Sequence, residues 1–233
     1  MKKILIFLTL LYSGLAAPLN TNVASFDDGL RFYELNRFKD AISVFKPLCE
    51  AQNSAKSCFM LALMLEKGEG VSKSNTWARN YYDKACSARL ASACLNLGLS
   101  YQNAGQSNLA NVAFYNACSL GHKEACKSLG LIYEKKQDGA LALEFYNRAC
   151  ELEDSDSCLL YARLLDVGKI VKYNQKGALA ALSRACELLN AKACQLLAQN
   201  HEKTNKELAK RFFAKSCELG EKSACASYKN LQN

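Results

Sequence analysis

The segment FYNACSLGHKEACKSLGLIY, residues 114–133, contains the pattern that decides the fold. Phe114 and Cys118 lie four positions apart, so they share one face of a helix. Gly121 can adopt the left-handed backbone that ends a helix, and a second apolar helical stripe begins at Cys126. The eight-position separation of the two cysteines fits a disulfide across a tight corner between helices. The segment therefore predicts one helix, a short turn and the start of the next helix.

The same cysteine pattern recurs along the chain. The first cysteines of successive pairs lie 37, 32, 32, 36 and 31 residues apart, a period typical of solenoids built from helical hairpins. The pairs are Cys49 with Cys58, Cys86 with Cys94, Cys118 with Cys126, Cys150 with Cys158, Cys186 with Cys194, and Cys217 with Cys225. Only two residues are proline, and no sustained apolar–polar alternation marks a strand. The sequence therefore predicts an all-α fold, with residues 18–233 as a single repeat domain.

Other residue types repeat with the cysteines. Small residues stand four positions after a second cysteine, where we expect close helix contacts: Ala62, Gly98, Gly130, Ala162 and Ala198. Aromatic doublets precede four of the first cysteines: Tyr81-Tyr82, Phe114-Tyr115, Phe145-Tyr146 and Phe212-Phe213. A surface for stacking sugars is one interpretation of the doublets, but their helical spacing favours packing in the core.

Residues 1–17, MKKILIFLTLLYSGLAA, have the organisation of a secretory signal peptide. Lys2 and Lys3 precede a short apolar run, and small residues follow it. We predict cleavage after Ala16 or Ala17. The alternative is an uncleaved anchor, but the apolar run is too short to span a bilayer. The leader thus predicts a secreted or periplasmic protein with no stable membrane insertion after cleavage.

Export changes the interpretation of the twelve cysteines. Outside the cytoplasm an even number of cysteines indicates disulfides, and the repeat pairs each cysteine with its near neighbour. Zinc is the alternative, but the pairs lack the short ligand spacing and the histidine partners of zinc sites. We therefore predict six disulfides, no metal site and no cofactor.

The charge of the chain excludes one class of partner. Without the two leader lysines, 28 basic and 22 acidic side chains give a net charge of +6, spread over the chain without a block of like charges. An exported protein with this pattern is not expected to bind nucleic acid.

The stretch GEGVSKSNTWARNYYDKACSARLASACLNLG, residues 68–98, resembles a Sel1-like repeat, a variant of the tetratricopeptide hairpin. Together with the cysteine pairs and the leader, it resembles the Helicobacter cysteine-rich protein family over about residues 26–229. Two features depart from that pattern. Cys49 and Cys58 are nine positions apart, and the turn glycine is replaced by Arg89, Glu153 and Leu189 in three repeats. Asp154 and Asn190, next to two of these, tolerate a left-handed backbone.

The resemblance implies a right-handed α-solenoid of Sel1/tetratricopeptide-like hairpins with one disulfide per repeat. It also implies a concave groove suited to peptides or cell-wall fragments. Members of that family are described as penicillin-binding proteins with slow β-lactamase activity and as secreted antigens recognised by the host.

A catalytic site is not evident in the sequence. Serine β-lactamases use S-x-x-K, S-D-N and K-T-G elements. The near matches here are Ser43 with Lys46, Ser155-Asp156-Ser157 and Lys203-Thr204-Asn205. Each is explained by a helix or turn of the repeat, so we predict no catalytic residue among them. His122 and His201 are too few for a zinc centre, and we expect both on the solvent-exposed surface.

The candidate ligand-binding residues are Asn96, Ser100 and Asn103, spaced along one face of a first helix of a hairpin. First helices line the inner curve in tetratricopeptide-like arrays, and asparagine amides there could hold a peptide backbone or a carboxylate. Ordinary surface polarity also explains the stripe.

Three functions stay open at this point. The chain could be an exported scaffold that binds peptides, cell-wall fragments or protein partners. The resemblance implies a weak penicillin-binding hydrolase instead. A secreted host-directed factor without catalysis would use the same scaffold. A monomer is compatible with each of them.

Overall fold

A computed structural model describes residues 24–231, and these residues form thirteen α-helices and no strand. The predicted leader, residues 1–17, lies outside the described residues, so its cleavage stays a prediction. The helices are α1 (Phe26–Glu34), α2 (Phe38–Glu50), α3 (Ala55–Lys67), α4 (Asn75–Ser87), α5 (Ala91–Asn103), α6 (Ser107–Ser119), α7 (Lys123–Lys135), α8 (Gly139–Glu151), α9 (Ser155–Val167), α10 (Gln175–Glu187), α11 (Ala191–His201), α12 (Lys206–Glu218) and α13 (Lys222–Asn230).

The helices pack in sequence as six antiparallel hairpins, α1–α2 to α11–α12, followed by the single helix α13. Each helix contacts its neighbours in the chain, which is the arrangement of a solenoid. The predicted all-α solenoid of helical hairpins is therefore confirmed. Within the described part of the chain, no helix is both long enough and apolar enough to cross a membrane.

The contact between the two helices of a hairpin depends on a small residue facing a ring. A Cβ atom added at Gly98 would lie 2.5 Å from the ring of Phe114, and one added at Gly130 would collide with the ring of Tyr146. Both rings are fully buried. The predicted close contacts are thus confirmed at these positions, because only a residue without a side chain leaves room for the ring. Gly29 faces Phe45 in the first hairpin in the same way.

Disulfides join the hairpins to one another. Each connects the last turn of one hairpin's second helix to the first turn of the next helix, with Cα–Cα distances of 4.6–4.8 Å. The bonded pairs are Cys49 with Cys58, Cys86 with Cys94, Cys118 with Cys126, Cys150 with Cys158, Cys186 with Cys194, and Cys217 with Cys225.

The predicted cysteine pairing is therefore confirmed in every repeat. Cys158, Cys194 and Cys225 each lie near the start of a helix and bond to the cysteine eight positions earlier. The longer separation of Cys49 and Cys58 also closes, with a Cα–Cα distance of 4.8 Å. No described cysteine is free. Since disulfides persist in oxidising compartments, six of them indicate an environment outside the cytoplasm.

One expectation about the turns is wrong. Arg89, Glu153 and Leu189 themselves adopt the left-handed backbone, with φ of 63–65°. Asp154 and Asn190 instead have negative φ and cap the following helices, because their side-chain oxygens accept hydrogen bonds from backbone N–H groups. The carboxylate and the amide are used for capping, so the preceding residue takes the strained position.

The aromatic doublets are only partly in the core. Tyr82, Phe114, Tyr146 and Phe213 are at most 1% exposed, but Tyr115 is 54% exposed. Phe114-Tyr115 stands one position closer to its cysteine than the other doublets do. One position turns a helical side chain by about 100°, which moves Tyr115 to the surface. The prediction of core packing is therefore wrong for Tyr115.

Candidate partner-binding surface

The predicted polar stripe on α5 is not an open surface. Ser100 is only 8% exposed, and the amide of half-buried Asn96 donates a hydrogen bond of 3.5 Å to the hydroxyl of Tyr82. Of the three side chains, only Asn103 is exposed. The prediction was made from spacing alone, which does not reveal that this face of α5 packs against α4. Ligand binding by these residues remains a prediction without support from their placement.

The near matches to β-lactamase elements are not brought together. The hydroxyl of exposed Ser43 donates to the backbone carbonyl of Asp40, within its own helix. Lys203 lies between α11 and α12, several hairpins along the solenoid. The expectation of exposed histidines is wrong: His122 is half-buried near Glu124, and half-buried His201 stacks on Phe212. Within residues 24–231 no group of acidic, cysteine and histidine side chains has the arrangement of a metal site.

An apolar groove lies between α2, α3 and α4, and we call it the Trp77 groove. Its volume is about 340 Å³, and its lining is mostly aliphatic and aromatic. It is lined by Ile42, Lys46, Glu50, Leu61, Met64, Leu65, Val71, Trp77 and Tyr81. Trp77 is 60% exposed and Val71 is 38% exposed, so large apolar surfaces face solvent at the mouth of the groove.

The loop between α3 and α4 shapes this groove. Gly68 ends α3 with a left-handed backbone (φ 81°), and Ser74 caps α4 by accepting a hydrogen bond from the N–H of Trp77. Between them Gly70 packs so tightly against α2 that an added Cβ atom would lie 2.6 Å from Phe38. The loop thus holds Val71 and the first turn of α4 at the groove.

The rim of the groove is polar. The hydroxyl of Tyr81 donates a hydrogen bond of 2.7 Å to the carboxylate of Glu50. Burial, together with that carboxylate, raises the pKa of Tyr81 to about 12, so the hydroxyl stays a donor at neutral pH. Lys46 is exposed one turn before Glu50 and forms no ion pair with a described residue.

Comparison with known protein families identifies a repeat type in three parts of the chain. The Sel1 repeat model matches residues 55–89, 117–154 and 192–221. These three ranges are Sel1 repeats. Proteins with Sel1 repeats mediate protein interactions. The hairpins α5–α6 and α9–α10 lie largely outside the matched ranges, yet the same disulfide junctions flank them. The Sel1 arrangement therefore continues where the sequence match does not.

Solved structures share this arrangement. A Sel1 repeat protein from Oxalobacter formigenes is 23% identical, with a TM-score of 0.64 and 86% of each chain covered. The protective antigen c5321 of uropathogenic Escherichia coli is 23% identical with a TM-score of 0.65; the match covers 88% of this chain and 48% of that one. Cysteine-rich protein B of Helicobacter pylori is 26% identical over 48% of this chain and 87% of its own, with a TM-score of 0.41. At 23% identity, the likeness to the first two structures shows the fold alone. No curated protein matches the chain.

The Trp77 groove is not predicted by the repeat pattern of the sequence. Trp77 is the single tryptophan of the chain and lies in the first turn of a helix, where the repeat does not require a large apolar side chain. That combination is the signal that could have singled it out.

Proposed function

We propose that this Sel1 repeat protein is exported and binds a peptide segment of a protein partner in the Trp77 groove. The observation that carries the proposal is the exposed indole of Trp77 beside an apolar groove of about 340 Å³. Ligand sites in proteins have this size and this predominantly apolar lining. Tryptophan is also enriched among the residues that contribute most to binding at protein interfaces.

The rim indicates the chemistry of the peptide. Lys46 offers an ammonium group that forms no ion pair within residues 24–231, while Glu50 already accepts a hydrogen bond from Tyr81. An aliphatic or aromatic side chain would fill the groove, and an acidic residue beside it would face Lys46. Cell-wall sugars fit less well, because most groove residues offer no hydrogen-bonding group to hydroxyls.

Export is supported by two independent features. Residues 1–17 have the pattern of a signal peptide, and the six disulfides need an oxidising compartment. Secretion and periplasmic retention are both compatible with these features, and so is a host-directed role. N-terminal sequencing of the exported protein tests the leader, since the mature chain is expected to begin at Ala17 or Pro18.

Binding can be measured through the groove itself, because Trp77 is the only tryptophan. Titrating the oxidised protein with peptides that carry one apolar side chain next to an acidic residue should shift the Trp77 emission saturably. Trp77→Ala, measured by calorimetry, should weaken binding at least tenfold. Leu109→Ala is the matched control, since Leu109 holds the corresponding exposed position on α6 outside the groove. Equal losses in both variants, or no saturable binding, would contradict the proposal.

The β-lactamase activity implied by the resemblance is a separate hypothesis that no contact of the described residues favours. Incubation of the oxidised protein with a chromogenic cephalosporin tests it. Turnover that disappears in Ser43→Ala would replace the binding proposal with a serine hydrolase.

A further inference from the structure

A second pocket lies where the ends of α5 and α7 meet the start of α6. We call it the basic pocket; its volume is about 420 Å³. Its polar lining consists of Gln102 from α5, Ser107 and Asn111 from α6, Lys135 at the end of α7, and Lys136, which caps that helix. Ala110 and Ile132 complete it. It shares no residue with the Trp77 groove.

The charge of the basic pocket is uncompensated. No acidic side chain lines it, and neither lysine takes part in an ion pair with a described residue. The ammonium group of Lys136 lies 5.3 Å from the centre of the Tyr133 ring, a contact that holds the side chain without neutralising it. Two lysines, a serine and two amide residues therefore line a pocket that no acidic residue lines.

The start of α6 adds to this field. Ser107 is the first residue of a thirteen-residue helix, and its N-cap Gln106 makes no side-chain hydrogen bond to the helix. The first backbone N–H groups of α6 thus lack a side-chain acceptor, and the positive end of the helix dipole lies at the pocket.

A pocket at the corresponding place one hairpin later has an acidic lining residue, which the basic pocket lacks. It is lined by Glu134, Gln137, Arg163, Leu164, Val167, Lys169 and Ile170. Counted from the second cysteine of each repeat, Glu134 corresponds to Gln102, and Arg163 corresponds to Leu131. The guanidinium of Arg163 donates to Glu134 at 2.8 Å. A carboxylate belonging to the chain therefore occupies the later pocket, whereas its counterpart in the basic pocket is a neutral amide.

We propose that the basic pocket binds a carboxylate from a partner beside Gln102, whose neutral amide stands where the next pocket has the carboxylate of Glu134. The ammonium groups of Lys135 and Lys136 pair with it, and the amide of Gln102 donates a hydrogen bond to it. The carboxylate comes either from an Asp or Glu side chain or from a peptide C-terminus. This site does not depend on the Trp77 groove, and its test uses a different readout.

The test measures three probes by calorimetry on the oxidised protein at low and physiological salt. The probes are a short peptide with two Glu residues and an amidated C-terminus, a neutral peptide with a free C-terminus, and inorganic phosphate. Lys135→Gln/Lys136→Gln should weaken binding of the preferred probe about tenfold or more. Gln102→Glu, which places the carboxylate of the later pocket here, should do the same while both lysines remain.

A control variant distinguishes binding in the basic pocket from general attraction to the positive charge of the protein. Lys172→Gln/Lys176→Gln removes the same charge from two exposed lysines that line neither pocket, and it should change affinity less than about twofold. Equal losses in the two double variants would overturn the proposal, as would wild-type affinity in Gln102→Glu. Binding of phosphate but of neither peptide would also overturn it, and so would the absence of binding to all three probes. Thermal melts of each variant check that it is folded.

Discussion

The hairpins α5–α6 and α7–α8 have the same framework and different polar groups. In each, a glycine of the first helix faces a buried ring of the second, and a disulfide lies at either end. The ring is Phe114 in one hairpin and Tyr146 in the other. The hydroxyl of Tyr146 donates to Glu134 at 2.6 Å, whereas the ring of Phe114 has no hydroxyl and the corresponding position is Gln102.

The junctions that follow these two hairpins differ in the same way. Lys127 of α7 pairs with Asp154, the N-cap of α9, at 3.1 Å. The corresponding residues one repeat earlier are Leu95 and His122, which cannot form that ion pair. The comparison teaches that glycine, ring and disulfide suffice for the repeat geometry. Polar groups vary on top of this framework, so each hairpin can present a different surface to a partner.

The largest effect is expected from the shared framework. Gly130→Ala places a Cβ atom against the buried ring of Tyr146, so it should lower the free energy of unfolding by about 1–3 kcal/mol despite alanine's higher helix propensity. Guanidinium unfolding followed by circular dichroism measures this. Adding Tyr146→Leu should restore part of the loss, because hairpin α9–α10 has Ala162 and Leu182 at these two positions. Unchanged stability in Gly130→Ala would mean that the close contact does not define the hairpin.

The charged junction should make stability depend on pH. Burial alone would raise the pKa of Asp154, but hydrogen bonds from Ser157 and the Lys127 ammonium outweigh it and hold the pKa below its ordinary 3.8. Because the pKa of Asp154 is lower in the folded state, its ionised carboxylate stabilises the fold above pH 3.8. This stabilisation is lost as the pH falls below that value. Asp154→Asn should therefore cost about 1–2 kcal/mol at pH 7 and much less near pH 2.

Asp138→Asn is the control for this prediction. Asp138 caps α8 through Leu141 but forms no ion pair with a described residue. Its replacement should cost less at pH 7, since asparagine is as good an N-cap as aspartate. Equal costs for the two variants at both pH values would show that the Lys127 pair contributes nothing.

The tyrosine hydroxyl is expected to contribute less. Tyr146→Phe reproduces the ring of hairpin α5–α6 and should cost about 1 kcal/mol, because Glu134 loses a partly buried donor. Phe114→Tyr should not bring a matching gain unless Gln102→Glu accompanies it. A double-mutant cycle of Phe114→Tyr and Gln102→Glu measures the coupling energy between the two residues. Purely additive effects would contradict the predicted coupling.

The smallest effect concerns the turns after the two hairpins. Glu153 adopts φ 63° where the earlier turn has Gly121 at φ 87°. Glu153→Gly should raise the stability by about 0.5–1 kcal/mol, because glycine has no steric penalty there. Gly121→Ala should lower it by a similar amount. Thermal melts of both variants give the sign, and a loss in Glu153→Gly would show that the glutamate is not strained.

The sequence was sufficient for the framework because the framework residues repeat. Cysteine spacing, the small residues at Gly98 and Gly130, and their periods predicted the hairpins and the disulfide pairing. Features that do not repeat were predicted poorly. The left-handed turn at Leu189 could not be foreseen, since covalent closure and helix packing hold this residue against its own preference.

The site could not be predicted, for a related reason. Asn96 and Ser100 have the right spacing for a surface stripe, but burial depends on how far one hairpin turns against the next. The Trp77 groove depends on a loop that brings Val71 beside α4. Its residues come from three helices, so the sequence pattern of one helix does not predict it. Long-range placement, rather than residue type, decides which polar residues remain available.

The placement of the disulfides also determines how the molecule would respond to mechanical tension. Each crosslink closes only the short turn between hairpins, so a pulling force can extend the segment from one crosslink to the next but cannot open the junctions. Cys94 to Cys118 and Cys126 to Cys150 each span 24 positions, which corresponds to about 80 Å of extended chain. Stretched from its ends, the oxidised protein would lengthen in steps of nearly uniform size, one hairpin at a time. The turns closed by disulfides would stay closed throughout.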